Sequence, residues 1–225
     1  MIECLRPPLV ELPNERVAAQ FERYYSLLVE WNEKFNLTAI TEKEAVYRKH
    51  FADSLYGAEW MQGAVCDIGA GAGFPSLPLA IVGAADSFTL VDSVGKKVNF
   101  LSHVATELGL DGVKTLHARA EEVGKGPLRE SFDTVTARAV AALPTLLEYL
   151  APLAKVGGHV VVYKTDEQEI QQASKAAKLF GLELIQTQPY EIEGAKRCLF
   201  IYRKVVKTPT KYPRMGNKPR LEPIV

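Results

Sequence analysis

The segment Asp67-Ile68-Gly69-Ala70-Gly71-Ala72-Gly73-Phe74-Pro75 constrains the fold more than any other stretch of the 225 residues. It follows a short apolar run at 64–68 and precedes a helical pattern at about 75–82. Alternate glycines let the backbone turn sharply and approach a ligand closely. Strand, glycine-rich turn and helix in that order open a doubly wound sheet, whose ligands bind at the carboxyl ends of the strands.

The rest of the chain fits this start. Further strand-like runs fall at 87–91, 113–117, 132–136 and 159–163. Helix-like stretches at 94–108, 143–153 and 167–180 lie between or after them. This alternation predicts an α/β fold with a mostly parallel, Rossmann-like sheet. Residues 182–189 and 197–204 predict an antiparallel hairpin closing that sheet. Ahead of the sheet, Asn14 can cap a helix carrying Val17, Phe21, Tyr24, Leu28, Trp31 and Phe35. Alternating steps of four and three put all six on one helical face, for docking on a core or, alternatively, for a dimer seam. Thr41 with Glu44 reads as a capping box for a second short helix through His50. Three parts are expected: a helical segment at 1–60 docked on the core, a Rossmann-like domain at 61–204, and a basic, proline-containing tail at 205–225.

The spacing of the turn narrows its ligand. The dinucleotide fingerprint GxGxxG would need glycine where Phe74 stands, or where Ser76 stands in the other frame. No Gly-Lys-[Ser/Thr] string exists, so a P-loop is excluded. The pattern Gly69-x-Gly71-x-Gly73 behind an acidic Asp67 has the form typical of S-adenosylmethionine sites. Asp92, at the end of the second strand and 19 residues after Gly73, can accept hydrogen bonds from both ribose hydroxyls.

Formal net charge is zero, with 27 basic and 27 acidic residues, but the zero is a cancellation. Residues 203–225 hold seven basic residues against Glu222 and carry +6; the other 202 residues carry −6. A basic tail can neutralise RNA phosphates. The candidate RNA contacts are Lys96, Lys97, Lys164, Arg197, Arg203, Lys204, Lys211 and Arg214. Removing the residues after Tyr202 is expected to weaken RNA binding and leave cofactor binding intact. Cys4, Cys66 and Cys198 are too far apart for a CxxC site, and their sparse, odd number suits a reducing compartment and indifferent or buried thiols. No secretory signal and no membrane-length apolar run is evident. A cytoplasmic protein is expected, without metal or membrane partner.

Several strings carry a resemblance. They are Trp31-Asn32-Glu33-Lys34-Phe35-Asn36-Leu37-Thr38, His50-Phe51-Ala52-Asp53-Ser54-Leu55, the turn at 67–78, and Leu90-Val91-Asp92-Ser93-Val94-Gly95-Lys96-Lys97. Arg138-Ala139-Val140-Ala141-Ala142-Leu143, Gly157-Gly158 leading to Lys164, and Tyr212-Pro213-Arg214…Gly216…Pro219 continue it. The chain resembles, over nearly its whole length, the bacterial small-subunit ribosomal RNA methyltransferase G family, also called glucose-inhibited division protein B. The resemblance implies a class I S-adenosylmethionine-dependent methyltransferase with an N-terminal helical extension. It implies methylation of N7 of one guanine in the 530 loop of 16S rRNA, with S-adenosylhomocysteine as second product. The partner would be 16S rRNA or the small subunit, and the enzyme is expected to act as a monomer.

Carried over residue by residue, the family's cofactor contacts fall on Gly69, Phe74, the Ala120-Glu121 pair and Arg138, with Asp92 as ribose ligand and Gly71 and Gly73 completing the turn. Phe74 is expected to pack its ring on the cofactor, and Arg138 to hold either the methionine carboxylate or the RNA. No catalytic residue is assigned, because guanine N7 has a free lone pair and no proton to remove. A small-molecule methyltransferase on the same fold, and a non-catalytic RNA- or ribosome-binding factor, are the alternatives. A cytosine-C5 enzyme needs a Pro-Cys nucleophile, which is missing: Glu3, Val65 and Arg197 precede the three cysteines.

Overall fold

The structure is a computed structural model describing residues 15–138, 141–165 and 167–225. Asn14 and Cys4 lie outside the described residues, as do Ala139 and Val140 of the string after Arg138. Seven strands form one sheet: β1 (Ala64–Ile68), β2 (Ser87–Asp92), β3 (Val113–His117), β4 (Phe132–Arg138), β5 (Ala154–Lys164), β6 (Leu182–Ile192) and β7 (Ala195–Lys204). Their order is β3-β2-β1-β4-β5-β7-β6. The first five are parallel, and β7 runs antiparallel to both β5 and β6. Strand order reverses between β1 and β4, so a crevice opens where their carboxyl ends diverge.

Apolar residues on both faces keep the central strands inside. Val160, Val161 and Val162 of β5 are all fully buried. In β7 the period of two sorts the side chains cleanly. Leu199 and Ile201 join the apolar cluster on one face, and Cys198, Phe200 and Tyr202 the cluster on the other. Cys66 and Cys198 are buried free thiols, and burial pushes the Cys198 thiol up to about 11.

Helix α1 (Glu15–Phe35) docks its stripe on the first face. Val17, Phe21, Tyr24, Leu27 and Leu28 are buried, while Trp31 and Phe35 are half-buried. Trp31 packs on Phe100, 5.5 Å between ring centres. Each fully buried large side chain contributes about 1.5–3 kcal/mol. The cap of α2 (Lys43–Val46) is Glu42 and not Thr41: the Glu42 carboxylate accepts from the Glu44 and Ala45 amides at 3.0 and 2.7 Å. The chain then widens into a π-helical turn, Tyr47–Ala52, before α3 (Asp53–Leu55). Such turns are common at functional sites.

Helices α4 (Ser76–Ile81), α5 (Gly95–Glu107), α7 (Leu143–Leu150) and α8 (Glu169–Phe180) occupy the expected places. The sequence reading missed α6 (Ala120–Lys125) and α9 (Lys218–Leu221), each too short for a visible period.

The tail is tied to the sheet's second face. Tyr212 is buried and packs edge-on against Phe180. Arg129 donates to the carbonyls of Thr208, Tyr212 and Gly124 at 2.6–2.8 Å. The Thr145 hydroxyl donates to the Pro219 carbonyl at 2.8 Å. Two candidate RNA contacts are corrected by this packing. Lys204 follows Phe200 and Tyr202 onto the inner face and is 0% exposed. Its ammonium donates to the carbonyls of Ala151 and Phe180 at 2.8 and 2.9 Å and contacts the Thr208 hydroxyl. Arg214 is engaged by the buried Glu148 carboxylate, through Nε at 2.9 Å and Nη2 at 2.7 Å.

Candidate active site

At the crevice the glycine turn is held from three sides. The amides of Gly69 and Ala70 donate to the Val91 carbonyl at 2.8 and 3.1 Å. The Asp92 carboxylate accepts from the Gly71 amide and the Val94 amide, both at 2.9 Å. Asp92 thus joins the turn to the start of α5 and still has spare lone pairs for a diol. From below, the Tyr24 hydroxyl of α1 donates to the Ala72 carbonyl at 2.5 Å. Gly73 has φ +99°, and a Cβ there would lie 2.3 Å from Leu77 Cδ1 and 2.6 Å from the Tyr24 oxygen. Only glycine fits both the backbone and the space.

A cleft of about 270 Å³ opens above this turn. Gly69, Asp92, Ala120, Glu121 and Arg138 line it together, with Lys97 at its edge. Gly71, Gly73 and Phe74 are not in its lining. Phe74 is buried beneath the turn, stacked on His50 at 4.5 Å and close to Tyr24 and Phe51, so its ring is a floor and not a wall. Its link to the cleft is the Arg138 guanidinium, 4.8 Å above the ring centre. The lining residues most distant from the turn, Tyr149 of α7 and Asn217 and Arg220 of the tail, are not among the sequence candidates. Their separation from the turn in sequence left no local signal.

The residues fit an S-adenosylmethionine molecule. Asp92 and the start of α6 at Ala120-Glu121 suit a nucleoside. Directly behind the turn, Asp67 is 0% exposed, and the hydroxyl and amide of Ser76 are its polar neighbours. Burial pushes the Asp67 carboxyl up to about 7. A carboxylate buried without an ion pair is costly and is relieved by a cationic ligand nearby. S-adenosylmethionine carries two such centres, its ammonium and its sulfonium.

The remaining candidates do not share one place. Lys97 is half-buried, Arg203 is exposed and pairs with His159 well back from the carboxyl end of β5, and Lys211 is exposed, with its ammonium over the Tyr212 ring. Lys96 lies over the Phe35 ring. Arg197 is half-buried, its Nε 3.8 Å from Asp53. Lys164 is turned inward, donating to the Ala141 carbonyl and pairing with Glu169, both at 2.8 Å. His50 is neutral: burial and the neighbouring Arg138 charge push it down to about 4. Among the described residues no group of three or more His, Cys, Asp or Glu side chains could hold a metal ion.

Residues 17–199 match the family described as GidB, rRNA small subunit methyltransferase G. The chain belongs to this family. Proteins named ribosomal RNA small subunit methyltransferase G are similar throughout. One from Exiguobacterium sp. (strain ATCC BAA-1283 / AT1b) is 47% identical across 100% of this chain and 98% of its own. One from Geobacillus kaustophilus is 47% identical across 95% and 93%, and one from Staphylococcus carnosus 45% identical across 94% and 92%. Among solved structures, a SAM dependent methyltransferase from Aquifex aeolicus superposes with a TM-score of 0.54 at 20% identity, covering 72% of this chain and 93% of that one. M. jannaschii TYW2 in complex with AdoMet gives 0.57 at 16% identity, covering 69% and 76%. These two likenesses establish the methyltransferase fold. Among the described residues no helix is long and apolar enough to cross a membrane.

Proposed function

We propose that the protein transfers a methyl group from S-adenosylmethionine to N7 of a guanine in the 530 loop of 16S rRNA. One observation carries the reading: in a member of this family, the cleft at the strand-order reversal joins the glycine turn, Asp92 and Arg138 in a single wall. The cofactor supplies an already activated methyl group on a positively charged sulfur. The protein's part is to bind, orient and exclude water, and near-attack alignment contributes about 7–11 kcal/mol.

Gly69 lets the cofactor lie against bare backbone. Asp92 accepts from the ribose hydroxyls, and Ala120-Glu121 meets the base. Arg138 closes the opposite end. Guanine N7 gives up no proton, so no side chain is needed as a base, and the scattered histidines are not recruited. RNA phosphates are met on the cleft side by Lys96, Lys97 and Arg197, and farther back along the surface by the exposed Arg203 and Lys211. An unpaired loop suits such an enzyme, because its bases can be splayed out. The enzyme acts as a monomer in the cytoplasm, where its substrate is assembled.

Mass mapping of methylated guanines tests the reading. Small subunits from cells lacking the protein are mapped before and after incubation with protein and S-adenosylmethionine. One guanine of the 530 loop should gain a methyl group. Methylation elsewhere, or none, rejects the substrate; failure to bind S-adenosylmethionine rejects the enzyme.

A further inference from the structure

We propose that Asp53 is a positioning residue that holds the Arg138 guanidinium toward the methionine carboxylate of the cofactor. The proposal rests on the cofactor reading above and goes beyond it by assigning the amino-acid end of the ligand and the side chain that prepares its subsite.

Strand order fixes the direction. β1 lies between β2 and β4, so Asp92, ending β2, and Arg138, ending β4, flank Gly69 on opposite sides. A nucleoside on the Asp92 side, with its base toward Ala120-Glu121, leaves the amino-acid end toward Arg138. That end presents one carboxylate, and Arg138, which ends β4, is a cation of the cleft wall there; Arg220 of the tail also lines the cleft.

The guanidinium has five N–H groups in a rigid plane. Nη1 donates to the Asp53 carboxylate at 2.7 Å, and Nη2 lies 3.3 Å from His50 Nδ1. Its carbon sits 4.8 Å over the Phe74 ring. These contacts fix the plane and leave three N–H groups for the cleft, enough for bidentate capture of a carboxylate. His50 is neutral and packs beside the guanidinium; its Nδ1 also lies 3.2 Å from the Lys49 carbonyl and its Nε2 2.9 Å from the Thr38 hydroxyl, which hold the ring in place.

Asp53 is built to do this. It is 4% exposed, and its second oxygen accepts from the Tyr190 hydroxyl at 2.8 Å. Arg197 Nε, 3.8 Å away, shares its charge. The carboxylate therefore does not cancel Arg138 alone, and the guanidinium keeps charge for a ligand. Asp53 reaches this place because the π-helical turn Tyr47–Ala52 precedes it, and Tyr190 approaches from β6.

The test separates the two ends of the ligand. S-adenosylhomocysteine and 5′-methylthioadenosine share the nucleoside and the sulfur, but only the first has the amino-acid carboxylate. Calorimetry is run on the full chain below its melting temperature, for wild type, Asp53→Asn, Arg138→Lys and Tyr190→Phe. Asp53→Asn and Arg138→Lys should each weaken S-adenosylhomocysteine by about tenfold or more, and methylthioadenosine by less than about twofold. Tyr190→Phe, which leaves the Asp53–Arg138 pair in place and is the milder variant should Asp53→Asn fail to fold, should show the same pattern at smaller size. Equal loss of both ligands in Asp53→Asn or Tyr190→Phe would make the network merely structural and overturn the proposal. So would unchanged S-adenosylhomocysteine affinity with only the KM for RNA raised, since Arg138 would then serve the RNA. Wild type binding neither ligand would instead reject the cofactor reading on which the proposal stands.

Discussion

Helix α1 and the C-terminal tail cover opposite faces of one sheet and are fastened by different chemistry. The helix enters the apolar cluster that holds Leu199 and Ile201, through Phe21, Tyr24 and Leu28. The tail meets the cluster that holds Phe200 and Tyr202, bringing Tyr212 as its main apolar anchor. It relies otherwise on polar ties: Arg129 on three carbonyls, Arg214 on Glu148, and Lys204 beneath it. Apolar docking is additive and tolerant, whereas a buried charge without its partner is heavily destabilising. The two ends should therefore fail differently.

The largest effect is expected from deleting the residues after Tyr202. The packing of the tail predicts a different outcome from the one expected from charge alone. Deletion removes Lys204, uncovers the Phe180 and Arg129 surfaces, and takes Asn217 and Arg220 out of the cleft wall. Cofactor affinity should fall below detection by calorimetry together with a collapse in melting temperature. Intact cofactor binding would show the tail to be a dispensable arm after all.

Phe21→Ala should cost about 3–5 kcal/mol, read as a shifted denaturation midpoint with an unchanged slope, because Phe21 is fully buried against Phe51. A loss below about 1 kcal/mol would mean that α1 is less committed to the core than the tail is.

Lys204 gives the tail a pH signature that α1 lacks. Burial pushes its ammonium down to about 7, against 10.5 ordinarily. Between those values the unfolded chain holds a proton that the folded chain has released. Stability therefore rises with pH across that window, by up to about 1.4 kcal/mol per unit. Below about pH 7 both states are protonated and this contribution is flat. Lys204→Met abolishes it, so wild type should gain on the variant between pH 7 and pH 9 in paired thermal melts. A pH-independent difference would refute the assignment.

The smallest effect belongs to an exposed tail cation. Lys211→Gln should leave stability within about 0.5 kcal/mol and lower the salt slope of RNA binding by about one ion. A large loss of stability would mean that its place over the Tyr212 ring fastens the tail.

The contrast also explains what could be read in advance. A stripe of apolar side chains has a period, so α1 was visible, as were β1 to β5 as apolar runs. Polar fastening has none. Lys204 and Arg214 look in sequence like Lys207 and Lys211, and only the sheet's alternation and a buried Glu148 separate them. The spacing of Thr41 and Glu44 suggests a capping box, but the Glu42 carboxylate reaches the same helix start and holds the cap. In the cleft, Gly69, Asp92 and the Ala120-Glu121 pair were reachable from strand ends and resemblance, and the structure places them in one wall. The tie from Asp53 to Arg138 spans 85 residues and exists only once a π-helical turn and two strand ends meet.

The position of Asn217 and Arg220 in the cleft wall has a consequence for synthesis. A nascent chain halted between Lys204 and Asn217 has every strand of its sheet but an open cleft. Competence to hold the cofactor is then a late event, separate in time from folding of the strands. The cleft thus reports completeness: a product truncated there has its strands and still lacks the wall that closes the site.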